Sequence, residues 1–172
     1  MTLTPAERGR VLARLLAELA PQLFRDLEES GLLAAGTDPE VRARELREWE
    51  CFALYACVRG LVASGGFNRE TAAAIDALHE EALAGWSPAD HGGEEEVDRR
   101  RLISARYEEY GAIGQAGGKS GAATVSQRLG EAAARHMTGS ESPDPALAEM
   151  AGHLHESLAE GAAEAMRAAE AS

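Results

Sequence analysis

Apolar positions recur every three to four residues over long stretches of this chain, which is the period of an α-helix. Val11, Leu12, Leu15, Leu16, Leu19, Leu23 and Leu27 keep that spacing behind Thr4-Pro5-Ala6-Glu7. A threonine cap, a proline at the first helical position and a glutamate at the third mark a helix start. Pro21 stands inside the pattern and is expected to kink or split the helix. Gly31 ends it, and residues 31–37 read as a loop.

Asp38-Pro39-Glu40 repeats the cap-proline logic and opens a second helix. This helix runs into Arg47–Ser64, the densest apolar run of the sequence, and stops at Gly65-Gly66. Asn68-Arg69-Glu70 caps a third helix that places Thr71, Ile75, Leu78, Ala82 and Trp86 on one face. Ser87–Gly93 is a break punctuated by Ser-Pro and Gly-Gly, with His91 expected in solvent. In the fourth helix, Glu94, Glu95 and Glu96 stand four residues or so before Arg99, Arg100 and Arg101. That arrangement predicts a solvated face of ion pairs.

Gly114–Gly121 reads as a glycine-rich loop, 122–137 as a fifth helix and 138–145 as a second loop. The sixth helix starts near Pro145 and carries Leu147, Ala151, Leu154, Leu158, Ala162 and Ala165 on one stripe, with frayed ends near 168–172. The expected fold is all-α: a single-domain bundle of about six helices, neighbours mostly antiparallel, with the helix around 39–64 central and largely buried.

Composition narrows this picture. The chain is rich in Ala, Leu, Glu and Arg and poor in aromatic residues, which favours helix over sheet. Its 172 residues can bury a core without staples. No apolar run approaches the roughly 20 residues of a membrane-spanning helix, and the first ten residues mix charges before any apolar run, unlike a secretory signal. A cytoplasmic protein is therefore expected, with no membrane partner. The net charge is −12, from 29 acidic against 17 basic residues. Such a surface repels phosphate backbones, so no nucleic-acid partner is expected.

Cys51 and Cys57 lie six residues apart on one helix. They are about 120° apart around its axis and about 9 Å along it, too far to bridge, so buried free thiols are expected.

Candidate chemistry is sparse. Gly114–Ser120 (Gly-Gln-Ala-Gly-Gly-Lys-Ser) suggests a phosphate loop, but Ile113 occupies the position of the first required glycine. Arg106-Tyr107-Glu108-Glu109-Tyr110 precedes it where a buried strand should stand. His153 and His155 project roughly 160° apart on one helix and cannot share a metal; both are expected in solvent. Asp76-x-x-His79 is a lone half of a di-iron pattern. No metal and no cofactor is expected.

His79 and His136 differ, since each falls on the apolar stripe of its helix and must find a hydrogen-bond partner. Partners are offered by a polar seam on the second helix: Glu48, Phe52, Tyr55 and Arg59, at spacings of four, three and four. A buried arginine is rarely unpaired, so either Arg59 answers a carboxylate across the core or the seam lines a cleft. Gly60 interrupts the same helix at a cost of about 1 kcal/mol relative to alanine, which implies that another helix passes close there.

Without a catalytic spacing, the reading leans away from an enzyme. It favours a non-enzymatic interaction or regulatory domain that binds a protein partner or a second copy of itself through an amphipathic face. The alternative is a small-molecule or metal-binding bundle with a polar site between the second and third helices, built from Glu48, Tyr55, Arg59, His79 and His136.

Overall fold

Thr4 opens the first helix with a full capping box: its Oγ1 accepts from the Glu7 N–H at 3.3 Å, and its own N–H donates to Glu7 Oε2 at 2.8 Å. In this computed structural model, residues 3–33, 36, 38–117 and 122–171 are described. Among them the chain forms six α-helices and no strand: α1 (Pro5–Glu29), α2 (Pro39–Gly65), α3 (Arg69–Ala84), α4 (Glu96–Gly117), α5 (Ala122–Thr138) and α6 (Pro145–Ala171). A short 3-10 turn, Pro88–His91, lies between α3 and α4. The expected caps are in place, with Asp38 accepting from Glu40 and Val41 and Asn68 accepting from Thr71.

The fold is one all-α bundle with α2 at its centre. α2 packs on α6 and α5, touches α1, α3 and α4 as well, and α1 lies on α3. Trp49, Cys51, Phe52, Ala53, Ala56 and Cys57 are all fully buried. The two thiols are free. Gly60 marks a helix crossing: a Cβ there would stand 2.6 Å from Ala162 Cβ and 2.8 Å from the Ala159 carbonyl of α6. No helix among the described residues is long and apolar enough to cross a membrane.

The structure corrects the sequence reading at six places. Pro21 does not split α1, which runs through it. Leu12 and Leu16 before it, and Phe24 and Leu27 after it, are all buried. Burying Phe24 and Leu27 contributes roughly 1.5–3 kcal/mol each, enough to outweigh the roughly 3 kcal/mol cost of an internal proline.

The glycine-rich loop is shorter than expected, because α4 continues through Gly117. At Gly117 a Cβ would run into the Val125 side chain, so this glycine serves the close approach of α5. The rest of that loop, 118–121, lies outside the described residues, as do 34, 35 and 37 of the first loop. α6 is helical to Ala171, where fraying was expected; Met166 is still fully buried near that end.

The buried face of α6 is also wider than the predicted stripe. Beside Leu147, Ala151, Leu158 and Ala162 it takes in Ala148, Gly152, His155, Ala159 and Ala163, while Leu154 is only half-buried. Small residues bring α2 and α5 close on that side, which is why His155 is fully buried instead of solvated. His91 and Arg99 are likewise buried, 6% and 4% exposed. Finally, Trp86 falls just beyond the end of α3, where its N–H donates to the Leu83 carbonyl.

Candidate functional site

The seam on α2 is answered from two sides. Glu48 receives a bidentate hydrogen bond from Arg106 of α4, both contacts at 2.8 Å. Arg59 donates to Glu156 of α6 at 2.8 Å, with both side chains partly exposed. Tyr55 lies between them in an aromatic cluster with Tyr107, Tyr110 and His155, at ring distances of 5.0, 5.4 and 6.0 Å. Burial raises its phenol pKa, and nearby Arg59 only partly offsets this.

His79 joins the cluster from α3. Its Nε2 shares a 2.9 Å hydrogen bond with the Tyr107 hydroxyl. Burial lowers the His79 pKa. Tyr107, whose own pKa is pushed well up by burial, is the donor to this neutral ring. His136 sits apart, at α5: it bonds Glu109 at 2.5 Å, and Arg135 holds the other oxygen of that carboxylate at 3.1 Å. Burial alone would raise the Glu109 pKa, but its contacts with His136 and Arg135 hold it down. Tyr107 thus links Tyr55 to His79, while Glu48 and Arg59 pair with different helices and His136 with a third partner. A groove of about 480 Å³ between α3 and α4 is lined by His79, Tyr107, Asp76, Glu80, Arg100 and Ser104.

A second constellation surrounds the 3-10 turn. Gly92 closes the turn at φ 68°, a left-handed conformation that suits glycine. The His91 ring then folds back onto Trp86, centroids 3.4 Å apart and nearly parallel. His91 Nδ1 lies 2.7 Å from the Ser87 carbonyl and Nε2 lies 2.7 Å from Glu50 Oε2. Both neighbours are acceptors, so the imidazolium, with two N–H donors, satisfies both. Burial opposes that charge, but Glu50 and Ser87 outweigh it and raise the His91 pKa.

Arg99 of α4 reaches the same carboxylate, with Nη2 at 3.2 Å from Glu50 Oε2 and Nη1 at 2.9 Å from the Arg47 carbonyl. Its guanidinium stacks on Trp86 at 3.8 Å, a cation–π contact strengthened by burial. Trp86 Nε1 is buried and has no hydrogen-bond partner among the described residues.

These groups form one end of a groove of about 470 Å³. Leu16, Ala20 and Phe24 of α1, Leu46 and Leu54 of α2, Leu83 of α3 and Ile103 of α4 give it apolar walls. Leu83 and Ile103 also line the α3–α4 groove, so they separate the two. Small residues on α1 (Ala13, Ala17, Ala20) leave the space open. At the α1–α2 rim stand Arg25 and Arg42. Arg42 is held by Glu28 at 2.5 and 3.2 Å and lies 5.5 Å over the Phe24 ring.

No family model, no curated protein and no solved structure matches this chain.

Sequence reasoning missed Glu50, Trp86, His91 and Arg99, which stand up to 49 residues apart. One signal was available: Arg99, Ile103, Arg106, Tyr110 and Ile113 follow one another at spacings of four, three, four and three. That is a helical stripe, and it places Arg99 on the buried side of α4.

Proposed function

We propose that this protein is a small-molecule binding domain whose ligand occupies the groove between α1, α2, α3 and α4. The observation that carries the reading is the groove itself: about 470 Å³, within the roughly 300–1,000 Å³ of small-ligand sites. Its walls are mostly apolar, and a few polar groups with shifted protonation equilibria converge at one end, the usual make-up of a binding pocket. The role is recognition or regulation, since the polar groups are tied to one another in place of being poised as nucleophile and base.

Titration with a neutral apolar dye such as Nile red, followed by its emission, tests this reading. The expected result is saturable 1:1 binding that Ala17→Phe abolishes by filling the groove. Binding that is absent, or that survives Ala17→Phe unchanged, would contradict it.

A second reading, a docking domain that pairs with itself or with a protein partner, is supported by Phe67. This ring is 95% exposed at the turn between α2 and α3. Sedimentation of the wild type beside Phe67→Ser tests it: concentration-dependent association lost in the variant supports the pairing, and a monomer at every concentration contradicts self-association.

A further inference from the structure

The groove is cationic on a strongly acidic protein. The chain carries a net charge of −12, yet the groove is lined by Arg25, Arg42, Arg99 and His91 against Glu50 and Glu81. These cations are not equally available. Arg99 and His91 are buried, and each already donates to Glu50 and to a backbone carbonyl, that of Arg47 and of Ser87 respectively. Arg42 shares its guanidinium with Glu28 but keeps a side chain 48% exposed. Arg25 is exposed and makes no ion pair among the described residues. The free positive charge thus sits at one end of the groove, at the α1–α2 rim, and the apolar walls lead away from it.

The groove is also long. α1 lines it from Ala13 to Arg25, twelve steps along a helix, or about 18 Å at 1.5 Å per residue. That suits an elongate ligand better than a compact one.

Resting on the reading of the groove as a ligand site, we propose that its ligand is an anionic amphiphile: a linear apolar chain along Leu16, Phe24, Leu54 and Ile103, with a carboxylate head at Arg25 and Arg42. A carboxylate accepts a bidentate bond from a guanidinium. An apolar tail gains from leaving water in proportion to the surface it buries. A neutral head would leave the rim arginine to water, and a cationic head would meet it as a like charge.

Calorimetric titration with dodecanoate, dodecanol and dodecyltrimethylammonium, each below its micellar concentration, tests the class. Dodecanoate is expected to bind at least about tenfold more tightly than dodecanol, equivalent to about 1.4 kcal/mol. Arg25→Gln is expected to remove that preference while leaving dodecanol affinity and the melting temperature unchanged, and Ala17→Phe to abolish binding of both. Equal affinities for dodecanoate and dodecanol, both lost in Ala17→Phe, would overturn the anionic class and leave the groove as a neutral site. Tightest binding of the ammonium would overturn it in favour of Glu50 and Glu81. Failure of all three probes, or dodecanoate binding that survives Ala17→Phe, would overturn both the class and the site.

Discussion

The Glu50 carboxylate on α2 accepts a hydrogen bond from His91 at 2.7 Å and so ties the 3-10 turn to the central helix. Because the other ring nitrogen faces the Ser87 carbonyl, the clamp is complete only when His91 is protonated. A histidine whose pKa is raised by folding stabilises the fold below its ordinary value of 6.5, and that contribution is lost as pH rises through the raised value. Wild-type stability is expected to fall by about 1 kcal/mol between pH 6 and pH 9, the low end for a charge-assisted bond because Glu50 is partly exposed. His91→Phe is expected to lack this alkaline loss. Denaturant melts at the two pH values check it, and an equal loss in the variant would refute the clamp.

His155 has the opposite sign. Its Nδ1 lies 3.1 Å from the Phe52 carbonyl and its ring stacks on Phe52 at 4.1 Å, fully buried. Burial, helped by nearby Arg59, pushes its pKa down to about 3. The unfolded chain takes up a proton near 6.5 and the folded chain does not, so stability is lost as pH falls from about 6.5 toward 3. His155→Phe is expected to flatten that acid limb above pH 4.5, where the carboxylates contribute little. Parallel acid titrations of the two proteins by circular dichroism separate the histidine from the carboxylates.

The two ion pairs of the seam should differ in strength. Glu48 and Arg106 are 5% and 20% exposed at their side chains, against 28% and 37% for Arg59 and Glu156. Breaking a buried pair by removing one partner costs about 3–5 kcal/mol, whereas partly exposed pairs contribute about 0–1 kcal/mol. Arg106→Ala is expected to lose about 3 kcal/mol and Glu156→Ala less than 1. Urea unfolding of each variant decides the order, and comparable losses would mean that the burial difference does not govern these pairs.

Glycine substitutions should separate crossing points from open positions. Gly60→Ala puts its methyl 2.6 Å from Ala162 Cβ. The strain of overpacking, about 1–3 kcal/mol, exceeds the propensity gain of about 1 kcal/mol, so net destabilisation is expected. At Gly161 of α6 a Cβ meets nothing within 4 Å. Gly161→Ala is expected to stabilise by about 0.5–1 kcal/mol. The signs of the two shifts in thermal midpoint are the readout.

Much of the fold was legible because α-helices write their period and their caps into the sequence. The apolar run of α2, the cysteines buried on it and the close approach at Gly60 all follow from local pattern. The full width of the buried face of α6 was not legible, because the stripe through Leu147, Ala151, Leu154, Leu158 and Ala162 left out its small neighbours Ala148, Gly152, Ala159 and Ala163. Those small residues decide which side lets another helix come near, and so they decided the burial of His155. The proposed groove was less legible still. Trp86, His91, Arg99 and Glu50 meet through tertiary packing of three helices and a turn, and each looks ordinary among its sequence neighbours. Glu48 and Arg59 carried a readable demand for partners, yet nothing local named Arg106 or Glu156 as the answers.

Occupation of the groove between α1, α2, α3 and α4 by the ligand can be followed residue by residue. Methyl chemical-shift mapping of the protein titrated with dodecanoate tests it most directly. Saturable shifts are expected at Leu16, Leu54, Leu83 and Ile103, with Leu129, Leu147 and Leu158 on the far packing faces unmoved. Shifts centred on Leu129, Leu147 and Leu158, or no shifts at saturating ligand, would contradict it.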